Sequence, residues 1–288
     1  MPELPEVETT KRGIAPYLKN KVIDKIIVRQ DKLRVEVTPR LHELCSGQTI
    51  VDIHRRGKFL ILQLTRGSIL IHLGMSGHLY LSQQSDLKKH DHIDLCLKNG
   101  TILRYNDPRR FGLWVYVTEN PAHSLHLKNL GPEPLSSDFN SQYLFLQSRN
   151  RKQCIKSFLM NNTTVVGVGN IYATESLFLA GIHPQKMAGM LTPKECDNLC
   201  EQIKSVLLAA IHAGGTTLKD FLSVEGKPGY FSHSLRIYGK ENQPCSQCNT
   251  PIKKVTIAGR SSAFCPHCQS PGNNLGEELM HLQKNKKG

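Results

Sequence analysis

No apolar run in this sequence approaches the ~18 residues needed to span a bilayer as a helix. Met1 is not followed by a basic-then-apolar leader. Neither a helical membrane anchor nor a secretory signal is expected, so the chain reads as cytoplasmic. There is no internal repeat. Acidic residues are in deficit: Asp and Glu number 24 against 37 Lys and Arg, giving a formal charge of +13. The basic excess is not held in one tail, because it recurs in residues 1–120, 121–240 and 241–288. That distribution suits a long polyanion touched by every part of the chain, with nucleic acid the leading candidate over a merely soluble basic surface. Nine cysteines cannot all pair, and scattered free thiols suit a reducing compartment.

At 288 residues the chain can bury a sizeable core and fits more than one domain. Residues 5–18 read as a short helix with Val7, Ile14 and Leu18 on one side. Strand-like runs follow at 22–28, 50–53, 59–64, 69–73, 78–81, 93–97, 102–105 and 113–117. Several alternate apolar and polar residues, and turn signals such as Lys98-Asn99-Gly100 separate them. Short strands in series predict an antiparallel sandwich or barrel.

After Gly131-Pro132-Glu133-Pro134 the period becomes helical, to about residue 222. Thr192-Pro193-Lys194-Glu195 is a capping box that opens a helix closed by Gly214-Gly215. The region 230–270 is short-stranded and holds a cysteine cluster. Residues 271–288, with Lys284, Lys286 and Lys287, read as a disordered basic tail. The expected domains are therefore 1–131, 132–229 and 230–270, followed by that tail.

Cys245-x2-Cys248-x16-Cys265-x2-Cys268 is the strongest single pattern. Each CxxC places two thiolates on one knuckle, and two knuckles complete a closed four-sulfur zinc site; redox or iron–sulfur chemistry is the weaker alternative. Arg260 lies between the knuckles in Ala258-Gly259-Arg260. If two strands meet there, it stands at the tip of a braced hairpin, as a phosphate ligand or as a solvated loop arginine.

Gly167-Val168-Gly169-Asn170 precedes a helix-like run, so its N–H groups either approach a phosphate or only make a turn. Asp107-Pro108-Arg109-Arg110-Phe111-Gly112 joins two strands. Its Phe111 is either tucked into the core or displayed as a wedge between bases. Met75 in Gly74-Met75-Ser76-Gly77 poses the same choice. Lys58 opens a strand after Arg55-Arg56-Gly57 and is either a phosphate clamp or a solvated lysine. Cys196 and Cys200 share a helix face and read as buried small hydrophobes rather than a second metal site.

The amino terminus, Met1-Pro2-Glu3-Leu4-Pro5-Glu6, allows two readings. Proline in the first turn followed by acids is an ordinary helix start. Removal of Met1 would instead expose a prolyl secondary amine, with a carboxylate beside it. An α-amine has a reference pKa of about 7.7–8.0, so much of it is a free nucleophile near neutral pH. Its condensation with an aldehyde gives an iminium, which is a strong electron sink.

Six separated motifs in this order resemble the bacterial formamidopyrimidine-DNA glycosylase (Fpg, MutM) family. They are residues 2–9, 72–77, 107–112, 166–173, 214–222 with 226–230, and the four cysteines. Leu4 resembles the purine-lesion branch; the sister endonuclease VIII branch typically has glycine there. The resemblance implies an α+β multidomain fold: an amino-terminal antiparallel β-sandwich, a helix–two-turn–helix domain and a zinc-finger β-hairpin, with DNA in the cleft between. It implies a bifunctional glycosylase and abasic-site lyase acting on 8-oxoguanine and formamidopyrimidines.

In that scheme Pro2 is the nucleophile, Glu3 moves protons, and Lys58 and Arg260 grip phosphates and serve β- and δ-elimination. Asn170 joins the clamp. Met75, Arg109 and Phe111 fill the hole left by an everted nucleotide. His90, Arg109, Tyr238, Arg151 and Lys156 fall at DNA-contacting positions, and 219–230 matches a loop that closes over the flipped base. The implied cofactor is one structural zinc ion. The implied partner is double-stranded DNA with oxidised bases or abasic sites, bound by a monomer in the bacterial cytoplasm and at the nucleoid.

Two departures from the family pattern stand out. Asn161 occupies a position that is commonly Asp, and Asn150 one that some members fill with lysine, with Arg149 and Arg151 beside it. The rival functions are a pyrimidine-lesion glycosylase of the endonuclease VIII type and a non-catalytic zinc protein that binds damaged DNA.

Overall fold

The computed structural model describes residues 1–83, 86–216 and 229–270. The chain divides into two compact units. The first is Met1–Leu130 with Leu208–Ser234, and the second is Gly131–Leu207 with the residues from Leu235 onward. No helix among the described residues is long and apolar enough to cross a membrane.

The first unit opens with α1 (Leu4–Leu18), then β1 (Lys21–Val28), the short α2 (Leu41–Cys45), and β2 (Thr49–Arg56), β3 (Phe59–Leu64), β4 (Ser68–His72), β5 (His78–Ser82), β6 (Asp91–Leu97), β7 (Ile102–Asn106) and β8 (Leu113–Val117). All pairings are antiparallel, in the order β5-β7-β6-β1-β2-β3-β4-β8. β1 is the corner. It pairs β6 from Ile23 to Val28 but meets β2 only at Lys21 and Val22. The two halves therefore face one another as the layers of a sandwich. Alternation of side chains turns one face of each layer inward. Ile23, Ile53, Leu62, Ile71, Leu95, Leu103 and Trp114 meet there in a single core, with Val7, Ile14 and Leu18 of α1 closing it.

β6 is buried on both faces, and its outer face is polar. There Arg104, 1% exposed, makes two parallel bonds to Asp94, Nε–Oδ1 2.7 Å and Nη2–Oδ2 2.9 Å. Pairing of this geometry is what makes a buried charge tolerable.

The second unit holds α3 (Ser141–Ser148), α4 (Ile155–Leu159) and α5 (Asn170–Leu179). It also holds most of α6 (Pro193–His212) and the hairpin β9 (Lys253–Ile257) and β10 (Arg260–Phe264). The expected capping box opens α6: Glu195 N donates to Thr192 Oγ1 at 3.2 Å, and Thr192 N to Glu195 Oε2 at 2.9 Å. Phe178 of α5 packs with Ile237, Ile252, Ala263, Cys245 and Cys265, so the hairpin is seated on a helix rather than standing alone.

Candidate active site

Pro2 and Glu3 are buried at the start of α1, where Glu3 is the N-cap. Glu3 and Glu6 form a reciprocal capping box in which Glu3 N donates to Glu6 Oε2 at 2.7 Å. The helix-start reading of this segment is thus correct as local structure. Glu6 does more than cap. Its other oxygen, Oε1, accepts from Thr216 N at 2.8 Å, and Thr216 bridges to Tyr230. One buried carboxylate therefore holds both the residue next to Pro2 and the stem of segment 217–228. That segment, with most of the expected base-closing loop 219–230, lies outside the described residues.

A second link runs from α1 to Lys58. Arg55 Nε donates to Glu8 Oε2 at 3.0 Å, and Arg55 Nη1 donates to the Gly57 carbonyl at 3.0 Å. Burial alone would raise the Glu8 carboxyl, but Lys11, Arg55 and Arg12 around it hold it below its ordinary value. Gly57 takes φ +57°, a left-handed value that suits glycine. Lys58, 9% exposed, is thereby fixed relative to the helix that carries Pro2.

His72 lies close enough for the Lys58 charge to act on it. Burial first, then the charges of Lys58, Arg34 and His126, push its imidazole down to about 4. Its Nδ1 accepts from Gly74 N at 2.9 Å, so the neutral ring presents Nε2–H. The sequence supplied His72 within a motif but gave it no partner.

Met75, Arg109 and Phe111 sit on two adjoining turns, and all three are exposed; Phe111 is not tucked into the core. The Arg109 guanidinium lies 4.8 Å from the Phe111 ring centre. The turns share a buried frame at Asp107, which is 0% exposed. Asp107 Oδ1 accepts from Ser76 Oγ at 2.8 Å, and Oδ2 accepts from Tyr105 OH at 2.9 Å and Gly112 N at 2.9 Å. The His90 turn joins the same frame, since Asp107 N donates to the His90 carbonyl at 3.1 Å and His92 Nε2 contacts the Asp107 carbonyl at 2.9 Å.

In the second unit Arg260 is exposed at the hairpin turn, paired with Ile257. Asn170 starts α5, and its Nδ2 donates to the Ser261 carbonyl at 3.3 Å, so Asn170 and the Arg260 turn are adjacent. Lys156, expected among the DNA-contacting residues, is enclosed in the structure. It is 1% exposed, and its Nζ donates to Ser262 Oγ at 2.6 Å and the Ser261 carbonyl at 3.3 Å, which makes it an internal prop for the hairpin.

Tyr238 is held through its backbone. Glu175 of α5, 2% exposed, accepts from the amides of Arg236, Ile237 and Tyr238 at 2.9, 3.0 and 2.8 Å. Of the two arginines flanking Asn150, Arg149 is committed to the Leu191 carbonyl at 2.7 Å, whereas Arg151 is exposed. Asn161 Oδ1 accepts from both the amide and hydroxyl of Thr163 at 3.0 Å, a turn-capping bond that an amide oxygen makes as an aspartate would.

The four cluster cysteines converge, with all their sulfurs within 4.8 Å of one another. The Cys245–Cys268, Cys248–Cys265 and Cys248–Cys268 sulfur separations are 3.9, 3.5 and 3.4 Å. Four thiolates about 2.3 Å from a tetrahedral zinc lie about 3.8 Å apart, so the set fits that ion. The N–H groups of Gln247 and Cys268 point at Cys245 and Cys265 sulfurs, as knuckles require. It is the one such cluster among the described residues. Cys196 and Cys200 are buried, and burial pushes their thiols up to about 11 and about 12, as inert core groups.

Three sequence models match the chain in order. The Formamidopyrimidine-DNA glycosylase N-terminal domain covers residues 1–114, the Formamidopyrimidine-DNA glycosylase H2TH domain 130–222, and the zinc finger found in FPG and IleRS 242–271. A Formamidopyrimidine-DNA glycosylase of Legionella pneumophila (strain Lens) is 56% identical over 270 residues, covering 93% of this chain and 98% of its own. The chain belongs to the formamidopyrimidine-DNA glycosylase family. Two Lactococcus lactis family structures superimpose closely. A mutant bound to Fapy-dG containing DNA has TM-score 0.88 at 33% identity, covering 94% of this chain and 100% of that one. A complex with abasic site containing DNA has TM-score 0.87 at 33% identity, covering 93% and 100%. The zinc-finger match agrees with the sulfur geometry: the hairpin is built for one structural zinc ion. When bound, the ion ties the two knuckles together and supplies no chemistry of its own.

Glu6, Asp107 and Glu175 are the functional-site residues that sequence reasoning missed. All three lie inside or beside matched motifs, which was the available signal. Their partners were not visible, because Glu6 and Glu175 bind backbone amides and Asp107 gathers an amide with hydroxyls from separate strands and turns.

Proposed function

We infer that this protein is a DNA glycosylase of base excision repair with abasic-site lyase activity, excising 8-oxoguanine and formamidopyrimidines from double-stranded DNA. The observation that carries the reading is the amino terminus: Pro2 and Glu3 buried at a helix start and locked by Glu6, in a chain of this family. With Met1 in place the Pro2 nitrogen is an amide, so Met1 must leave first. The free amine then attacks the sugar C1′. The C1′–N bond to the damaged base breaks, and Glu3 handles the proton transfers that open the sugar. The resulting iminium draws electrons from C2′, whose proton is lost as the 3′ C–O bond breaks; a second elimination releases the 5′ side. No redox cofactor enters this balance.

Lys58 and the Arg260–Asn170 pair grip phosphates and stabilise the departing charges. Met75, Arg109 and Phe111 offset the cost of base extrusion, a few kcal/mol, by filling the gap. His90, Tyr238 and Arg151 extend the backbone contacts, and Lys156 acts through the hairpin it supports. The work is placed in the bacterial cytoplasm, on the nucleoid.

The test is turnover of duplexes carrying 8-oxoguanine, a formamidopyrimidine or an oxidised pyrimidine. Excision of the purine lesions with phosphate at both ends of the gap is expected. Excision of the pyrimidine lesion alone would reassign the chain to the endonuclease VIII type, and binding without cleavage of any substrate would remove the enzyme reading.

A further inference from the structure

Ser76 is buried, 7% exposed, between two exposed inserting residues. Its hydroxyl donates to Asp107 Oδ1 at 2.8 Å and accepts from Arg109 N at 3.3 Å. Arg109 N also reaches Asp107 Oδ1 at 3.3 Å, so hydroxyl, carboxylate and amide form a closed triangle. The triangle ties the residue following Met75 to the backbone of Arg109. The two turns also touch elsewhere. Gly74 has φ +67°, and a Cβ there would lie 2.6 Å from the Phe111 carbonyl oxygen and Gly112 N, so the backbones are in direct contact. On the far side Tyr105 OH closes on Asp107 Oδ2.

The backbone contact and the flanking ladder pairs His72–Leu113 and His78–Asn106 set how near the turns are, and the Ser76 triangle adds a side-chain tie between the turns themselves. Met75, Arg109 and Phe111 come from segments more than thirty residues apart, yet must enter one gap in DNA together. Loose turns would each lose conformational freedom on insertion, and that loss weakens binding. We propose that Ser76 is a positioning residue: its hydrogen bonds to Asp107 and Arg109 latch the Met75 turn to the Arg109–Phe111 turn, so that three side chains insert as one preorganised wedge. This rests on the wedge role given above to those three residues.

The experiment uses the full-length protein with Met1 removed and an uncleavable duplex. The duplex carries a tetrahydrofuran abasic analogue opposite 2-aminopurine, whose fluorescence reports insertion. Ser76→Ala should lower the affinity and the insertion amplitude about tenfold, the worth of one charge-assisted bond, while leaving affinity for undamaged duplex unchanged. Ser76→Thr, which keeps the hydroxyl, should restore most of the signal. In a Met75→Ala background the Ser76→Ala loss should largely vanish, because the latch then has nothing to align. Wild-type insertion by Ser76→Ala, or fully additive losses, would overturn the latch alone, provided Met75→Ala and Phe111→Ala each reduce insertion. If neither of those does, the wedge reading fails and the latch fails with it.

Discussion

Glu6→Gln tests how the catalytic amine is held. The substitution keeps shape and volume and replaces one acceptor oxygen by an NH2 group. In the wild type Oε2 takes the Glu3 amide at 2.7 Å and Oε1 the Thr216 amide at 2.8 Å, with Glu6 2% exposed. A glutamine can satisfy only one of these with its oxygen. Its NH2 must then face the other N–H, leaving a donor against a donor in a buried place. The loss of one charge-assisted bond with an unsatisfied donor costs about 2–4 kcal/mol. The melting temperature should fall by roughly 5–10 °C for a unit of this size.

Catalysis should suffer separately. If the freed amide is that of Glu3, Pro2 shifts, and a misplacement of ~1 Å can cost about a hundredfold. The assay is the single-turnover rate of borohydride trapping on a pre-formed abasic duplex, which bypasses base excision, run beside calorimetry. A trapping rate within about twofold of wild type, for protein folded at the assay temperature, would refute the positioning argument even if the melting temperature falls.

Further outcomes follow from the same geometry. His72 resists protonation in the fold down to about 4, whereas the unfolded chain takes up the proton near 6.5. Its contribution to stability, on the order of 3 kcal/mol, is complete above about 6.5 and is lost as pH falls towards 4. Denaturation from pH 7 to 4 should therefore show a shallower loss in His72→Gln than in wild type, and parallel curves would contradict this. Phe111→Ala should weaken binding to an abasic-analogue duplex with little change in melting temperature, because the ring is 43% exposed; a large stability loss in calorimetry would show a core role instead. Metal analysis should find about one zinc per chain, and Cys248→Ser or strong chelation should release it and abolish duplex binding in a filter or anisotropy assay.

The elements most legible in the sequence are those whose signal is local. Strands β3 and β8 begin and end where the strand-like runs placed them, at Phe59–Leu64 and Leu113–Val117, and α6 starts at its capping box. The helix α2 gave no such signal: it is five residues long, and its N-cap, Arg40, has left-handed φ and no capping side-chain bond. The zinc cluster was legible because ligand spacing is itself the chemistry.

The polar scaffolding was not. Glu6 meets an amide 210 positions away, and Glu175 meets three amides 61 to 63 positions on. Nothing in residue type marks a backbone N–H as waiting for a carboxylate. Lys156, expected among the DNA contacts, makes a bond equally invisible in the sequence: its ammonium is enclosed against Ser262.

The central claim is that a free prolyl amine at position 2 is the nucleophile. Its most direct test is borohydride reduction during reaction with 8-oxoguanine duplex, followed by proteolysis and mass spectrometry of the cross-linked peptide. The account predicts a deoxyribose remnant on the nitrogen of Pro2, in chains that have lost Met1 and in no others. A cross-link on a lysine, or full activity in chains shown to retain Met1, would contradict it.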